Sequence, residues 1–244
     1  MMFAFRPVDP KSAHLHIRYP QINLMSVWEI TLFIAAEILI SLSTFAAVIA
    51  ILVFLVRRPM RKYKPIDMAI FDRIKPSVNP DRNSLMLFFT FLGKHQFLIP
   101  ANLILIFYFL FVAKQTWFSI RVLTISLSSL LLMLLLKRLF QRKRPLSPLL
   151  KAAKGLSFPS GHAIMSVAFY GLLAYMLQLS TDDEFVRYLV TVLIIILILI
   201  IGYSRVYLRV HYASDVIAGL LIGFLWLLIS LTVLAGLEKF IASS

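Results

Sequence analysis

The sequence predicts an all-α protein, a polytopic membrane helix bundle with about six transmembrane helices. Hydrophobic residues make up 60% of the 244 residues and charged residues only 15%, whereas soluble domains have about 45–50% and about 25%. The excess apolar residues form long blocks, and about 20 consecutive apolar residues suffice to cross a hydrocarbon core. We therefore interpret the blocks as membrane spans rather than as parts of one large soluble core.

Six blocks are the predicted spans, in chain order 28–56, about 95–113, 117–136, 163–179, 188–203 and 215 to about 237. Residues 1–27 are mixed polar and aromatic with three prolines, which indicates an interfacial or loosely ordered lead. The basic run 57–65 ends the first span in the headgroup region. Residues 66–83 indicate a surface segment with short helical pieces. Residues 84–92 favour an interfacial or re-entrant helix, and one long tilted helix over 84–113 is the alternative.

This layout predicts one integrated domain in which 1–65 holds the lead and the first span and 66–244 holds five further spans. Glu37 lies deep in the first span, where a carboxylate is costly, so we expect it to face another helix or to be protonated. Three glycines of the last span predict close helix contact: Gly219, Gly223 and Gly236. With six spans, the loops after spans one, three and five lie on the same membrane face.

The formal net charge of +14 is compatible with nucleic acid, an anionic membrane surface or a phosphorylated substrate. The basic residues stand at the borders of apolar blocks, which argues against nucleic acid. The chain has no cysteine, so disulfides, thiolate catalysis and cysteine-based zinc sites are excluded. The N-terminus lacks the layout of a cleaved signal peptide, so we expect the first block to be an anchor.

The third of three motifs, S-R-x5-H-x3-D, joins the last two spans and contains His211 and Asp215. Four residues apart, the two side chains share a face if Asp215 lies in the first turn of a helix. A carboxylate beside an imidazole fixes its tautomer, so that the other ring nitrogen can act as a nucleophile. The alternative is an aspartate that only caps a helix beside an unrelated histidine.

The second motif is SFPSGHA, from Ser157 to Ala163. Gly161 lets the backbone approach an anion closely, Ser160 offers a hydroxyl, and the amides at the start of the next helix point at the bound group. His162 is a candidate general acid. The alternative is a glycine turn with an interfacial histidine.

The first motif, K-x6-R-P, supplies Lys137 and Arg144, and the third adds Arg205. Phosphoryl transfer spreads charge over three equatorial oxygens, which guanidinium groups and a lysine can bind. The other basic residues nearby are expected to be solvated or to face headgroups: Arg138, Arg142, Lys143, Lys151 and Lys154. Whether Arg209 contacts the substrate headgroup is left open.

Together the three motifs resemble the type 2 phosphatidic acid phosphatase family, whose active site is similar to that of vanadium haloperoxidases. The resemblance covers about residues 66–237 and includes every family motif position, while Arg209 stands where the family often has a small residue. It implies a two-step phosphatase without metal or cofactor. His211 would form a phosphohistidine, Asp215 would orient it and His162 would protonate the leaving group. The phosphate oxygens would be held by Lys137, Arg144, Ser160, Gly161 and Arg205.

The expected partners are a lipid phosphate and the bilayer, without nucleic acid. A non-catalytic lipid-phosphate binder or transporter is the second hypothesis, although binding alone needs no nucleophile. A haloperoxidase-like oxidation is the third, and the multi-span anchor argues against it. The basic motif face suggests a cytoplasmic orientation. Several of these charges would bind substrate, however, so they are poor reporters of topology. The resemblance favours an extracytoplasmic active site in the cell (inner) membrane, because bacterial members of the family usually face outward.

Overall fold

The structure of the protein is a computed structural model, and it describes residues 64–145 and 155–243 with three isolated helical positions before them, Ser43, Ala47 and Ala50. The chain forms two compact units, residues 1–50 and 51–244, and the elements given below belong to the second. Apart from these three positions, the predicted lead and the predicted span 28–56, with Glu37, fall outside the described residues.

The described part of the chain is built from helices. They are α1 (Lys64–Ile74), a 3-10 helix (Lys75–Ser77), α2 (Pro80–Leu92), α3 (His95–Phe107, continued by a π-helical turn Tyr108–Val112), α4 (Thr116–Phe140), α5 (Gly161–Ser180), α6 (Glu184–Tyr207) and α7 (Ala213–Ser243). Within this part, five helices are long and apolar enough to cross a membrane: α3 with its π-helical turn, and α4 to α7. The all-α membrane bundle is confirmed, and predicted spans two to six correspond to α3 to α7.

A break at Gly93 and Lys94 separates α2 from α3. The alternative of one long helix over 84–113 is therefore wrong. The side chain of Asn79 accepts a hydrogen bond from the Arg82 N–H at 2.8 Å, which caps the start of α2 as short polar side chains commonly do. The apolar side chains of α2 remain largely exposed, as expected for a helix at a membrane interface.

Helix α5 lies at the centre of the bundle and packs against α4, α6 and α7. Half of the residues in its most apolar stretch are buried, compared with 17% in α6. Gly219 and Gly223 of α7 permit this packing, because a Cβ atom at either would lie 2.9 to 3.1 Å from backbone atoms of Ser160 or Ile164. For Gly236 the described residues give no such contact: outside its own stretch of helix, none of their atoms lies within 4 Å of its Cβ position.

The ends of the bundle differ in their polar contacts. At one end the starts of α5 and α7 touch, since the Ser160 N–H donates to the Asp215 carbonyl at 3.0 Å. This end also receives the ends of α4 and α6, so the three motifs meet there as predicted. Near the opposite end of α7, Glu238 pairs with the buried Arg121 of α4.

Candidate active site

The turn between α6 and α7 carries His211, and Asp215 follows in the first turn of α7. Just after α6, Arg209 adopts a left-handed backbone conformation with a φ of 52°, which reverses the chain direction. The N–H groups of Val210 and His211 both donate to the Arg205 carbonyl, at 3.1 and 3.2 Å. The turn therefore folds back on the end of α6 and places His211 beside Arg205.

His211 and Asp215 face each other at the base of this turn. Nδ1 of His211 lies 3.7 Å from Oδ2 of Asp215, and both side chains are buried. The same oxygen accepts hydrogen bonds from the Ser157 hydroxyl and from the Tyr212 N–H, the latter at 3.0 Å. Asp215 thus stabilises the start of α7 in the manner of a capping box and also faces the imidazole. Since the carboxylate faces Nδ1, Nε2 is the nitrogen left free to react.

Burial lowers the pKa of the His211 imidazole from 6.5 to about 4. Asp215 opposes this shift, whereas the positive charges of Arg144 and Arg205 add to it. The imidazole is therefore neutral at pH 7 and keeps the lone pair that a nucleophile requires.

The SFPSGHA segment is held against the carboxylate of Asp215, which accepts a hydrogen bond from the Ser157 hydroxyl. The Ser157 N–H donates to the Arg142 carbonyl at 2.7 Å, and α5 begins at Gly161. The Ser160 hydroxyl and Nε2 of His162 are buried and have no hydrogen-bond partner in the described chain. Buried polar atoms are rarely left without a partner, so these two atoms point to a ligand that both could bind.

Lys137 and Arg144 border the loop that follows α4. The left-handed Gln141, with a φ of 47°, ends that helix and turns the loop toward the other motifs. Nζ of Lys137 donates to the Leu156 carbonyl at 2.8 Å. Nη1 of Arg144 donates to the Val210 carbonyl at 2.9 Å. Each cation keeps further N–H donors for an anion.

Arg205 is held by α2, an element to which sequence analysis assigned no role in the site. Its Nη1 donates to the Thr90 hydroxyl at 2.7 Å, and that hydroxyl lies 2.8 Å from the Ser204 hydroxyl. Nε of Arg205 is buried without a partner in the described residues. The guanidinium group is thus fixed on one side and available on the other.

A cavity of about 360 Å³ joins these groups. Its polar end is lined by six of the eight residues predicted for the site: Lys137, Arg144, Gly161, His162, Arg205 and His211. Ser160 adjoins this end, while Asp215 lies behind His211. The remaining wall is mostly apolar and comes from α3 and α4, with Leu98, Leu103 and Leu127 among its residues. The cavity can therefore hold an anion at one end and a hydrocarbon chain at the other.

Two charged residues of this region contradict the sequence analysis. Arg142 was expected to be solvated, but its side chain is only 12% exposed and pairs with Asp215 at 2.6 Å and with Asp67 at 2.8 Å. Asp67 belongs to the predicted surface segment, yet it is buried. Arg138 and Lys143 are exposed as expected, and Lys151 and Lys154 lie outside the described residues.

Arg209 is not part of the cavity wall. Its guanidinium carbon lies 6.0 Å from the centre of the Phe71 ring of α1, within the range of a cation–π contact. The structure thus directs this side chain toward α1.

Comparisons with known proteins agree with the fold and the motifs. The sequence profile of the PAP2 superfamily matches residues 117–238. Phosphatidylglycerophosphatase B of Bacillus subtilis (strain 168) is 34% identical over 151 residues, which cover 60% of this chain and 72% of that protein.

Two solved structures are similar to the chain. The transmembrane PAP2-type phosphatidylglycerolphosphate phosphatase of Bacillus subtilis superposes with a TM-score of 0.68 at 26% identity, over 80% of this chain and 96% of that one. LpxE of Aquifex aeolicus gives a TM-score of 0.51 at 25% identity, over 68% and 94%. The matched profile spans all three motifs, and the chain belongs to the PAP2 superfamily, the type 2 phosphatidic acid phosphatases.

Proposed function

We propose that this protein is an integral membrane lipid phosphatase that hydrolyses a lipid phosphomonoester or pyrophosphate through a phosphohistidine. The cavity carries the proposal, because its polar end combines a buried neutral imidazole with three cations and its wall is apolar. A lipid phosphate has this same division between a charged head and a hydrocarbon tail. The names of the similar proteins support a phosphatase rather than a transporter.

In the first step, Nε2 of His211 attacks phosphorus and forms an N–P bond. The bond between phosphorus and the leaving oxygen breaks, and that oxygen takes its electron pair. His162 donates a proton to the departing oxygen, which leaves as the lipid alcohol or, from a pyrophosphate, as the lipid phosphate. Asp215 stabilises the positive charge that develops on His211 through the proton on Nδ1.

In the second step, water attacks the phosphohistidine. His162, now neutral, accepts a proton from the water, and the N–P bond breaks so that His211 regains its lone pair. Inorganic phosphate leaves, and the starting protonation states are restored. One histidine thus serves as acid in the first step and as base in the second.

Three cations stabilise the phosphoryl group during both steps. Lys137, Arg144 and Arg205 bind its equatorial oxygens, together with the Ser160 hydroxyl and the Gly161 amide. Nε of Arg205 and the Ser160 hydroxyl have no partner among the described residues, which supports this role, since a bound phosphate would satisfy both.

The apolar part of the cavity favours a lipid over a soluble phosphate ester. Leu103 of α3 and Leu127 of α4 line it and are 60% and 53% exposed, so the wall is continuous with the lipid-facing surface of the bundle. The candidate substrates are phosphatidic acid, phosphatidylglycerophosphate, undecaprenyl pyrophosphate and the phosphates of lipid A.

The test is phosphate release from these four lipids by detergent-purified protein with EDTA present. We expect release by the wild type and none by His211→Ala, which removes only the nucleophile. Radiolabelled substrate, quenched in alkali, should leave a base-stable and acid-labile phosphoprotein in the wild type alone. Binding of the lipids without release by the wild type would instead favour a lipid-phosphate binder or transporter.

We further propose that the active site faces the extracytoplasmic side of the cell (inner) membrane. Lys137, Arg142, Arg144 and Arg205 all make contacts within the site, so they are poor reporters for the positive-inside rule. The site lies at the start of α7, and the C-terminus follows the other end of that helix. A reporter fused to the C-terminus should therefore be cytoplasmic, and an external reporter signal would reverse the proposed orientation.

A further inference from the structure

Two ion pairs of Arg142 connect α1 to the turn between α6 and α7 that carries His211, called the catalytic turn below. Arg142 donates from Nη1 to Oδ1 of Asp215 at 2.6 Å and from Nη2 to Oδ2 of Asp67 at 2.8 Å. Its guanidinium carbon lies 4.1 Å from the centre of the Tyr212 ring. One guanidinium group is thus shared by two buried carboxylates and stacked on the residue next to His211.

Ser214 hydrogen-bonds to both Asp67 and Arg142. Its N–H donates to Oδ1 of Asp67 at 2.9 Å, and its hydroxyl donates to Oδ2 of Asp67 at 2.7 Å. Arg142 Nη1 also donates to the Ser214 hydroxyl at 2.7 Å. Both oxygens of Asp67 are therefore bonded, and the carboxylate is held at the first turn of α7.

The sharing of Arg142 matters for the charge on Asp215. Oδ1 of Asp215 faces Arg142, and Oδ2 lies near Nδ1 of His211. If Arg142 had no second carboxylate, its whole charge would act on Asp215 and weaken the attraction of that carboxylate for a developing imidazolium. Asp67 takes one side of the guanidinium group and so limits this neutralisation.

We propose that Asp67 and Arg142 are positioning residues for the phosphatase reaction, which orient Asp215 and preserve its charge toward His211. The inference rests on the proposed function. Neither residue lines the cavity, so both act through Asp215 and not on the substrate. The helix that brings Asp67 to the site, α1, is therefore part of the catalytic apparatus rather than only a surface segment.

The test compares Asp67→Asn with Asp72→Asn, which makes the same charge change at an exposed position of the same helix. Asparagine keeps the size of Asp67 and an acceptor for the Ser214 N–H but loses the ion pair. We expect kcat to fall about tenfold or more, by analogy with groups that orient metal-binding histidines, while KM changes less than about twofold. Asp72→Asn should match the wild type in both constants.

A double-mutant comparison separates positioning from folding. If Asp67 acts through Asp215, then Asp67→Asn should lower kcat little further in an Asp215→Asn background. A loss of melting temperature in Asp67→Asn with an unchanged kcat would reduce Asp67 to a structural role and overturn the inference. Should Asp67→Asn not fold, Arg142→Lys serves instead, because an ammonium group keeps the charge but cannot bridge both carboxylates as a guanidinium does.

A second readout does not depend on turnover. In 15N-histidine NMR spectra at pH 7, His211→Ala identifies the His211 signals, and we expect the proton on Nδ1 in the wild type. Asp67→Asn should shift these nitrogen signals, whereas Asp72→Asn should not. Failure of the wild type to release phosphate would refute the proposed function and leave this measurement to decide the positioning role. Identical His211 signals in the two variants would overturn it.

Discussion

Replacement of Gly219 by alanine tests the packing that joins the second and third motifs. The added Cβ would lie 2.9 Å from the Ser160 carbonyl oxygen and 2.9 Å from the Cβ of Ala163. Favourable contacts between carbon atoms begin at about 3.5 Å, so the start of α5 must move away by several tenths of an ångström. That movement stretches the bond between the Ser160 N–H and the Asp215 carbonyl, which is 3.0 Å long.

Overpacking of this kind destabilises a protein by about 1–3 kcal/mol, while alanine is favoured over glycine within a helix by about 1 kcal/mol. Gly236→Ala is the matched control, because it gains the same helix propensity in the same helix without a clash against the residues that the structure describes. The difference between the two variants therefore isolates the clash. For a protein of this length it corresponds to a melting temperature lower by about 2 to 12 °C in Gly219→Ala.

The fluorescence of the three tryptophans reports the unfolding of both variants in the same detergent. Phosphate release measured beside it should show a lower kcat in Gly219→Ala, because Ser160 and His162 move relative to His211. Equal melting temperatures and equal kcat values in the two variants would show that the contact between α5 and α7 is not as close as described.

Three further predictions concern the site itself. Asp215→Asn should lower kcat by about 10⁴-fold, the loss found for an aspartate that orients a catalytic histidine in other hydrolases, with a much smaller change in KM; weaker binding at an unchanged kcat would indicate a capping role alone. Below pH 6.5 the free energy of unfolding of the wild type should fall relative to that of His211→Ala, by about 2 kcal/mol at pH 5. The reason is that the imidazole takes up a proton near pH 6.5 in the unfolded chain and only near pH 4 in the folded one. Parallel curves of unfolding free energy for the two proteins from pH 7.5 to 4.5 would contradict the lowered pKa. Arg205→Lys should lower kcat/KM by about tenfold or more, because lysine cannot bind Thr90 and a phosphate oxygen with one planar group. Full activity of this variant would exclude Arg205 from phosphate binding.

The sequence predicted spans two to six well, because a span depends on a local apolar pattern. Apolar blocks of sufficient length define spans whatever their neighbours, and the predicted span 163–179 differs from α5 by only one or two residues at each end. The motifs occur at helix ends, so the alternation of spans was enough to place them on one face. The roles of the individual site residues stay predictions until they are measured.

Other features depend on tertiary contacts that no spacing reveals. Asp67 and Arg142 are 75 positions apart, and each resembles an ordinary surface charge until α1 packs beside the catalytic turn. Gly236 shows the converse within the described part of the chain, because a glycine in a span indicates close packing only if its face meets another helix. Thr90 also gave no signal, since a single threonine in an apolar helix commonly bonds its own backbone.

The exposed apolar wall of the cavity has a consequence for the reaction rate, which then follows the concentration of substrate in the membrane rather than its concentration in water. A ligand that enters between α3 and α4 reaches the cations from the side, along the plane of the bilayer, without first dissolving in water. Its encounter rate then depends on the number of substrate molecules per unit area of membrane and on their lateral diffusion. Dilution of the substrate with an inert lipid at constant bulk concentration should therefore slow the reaction.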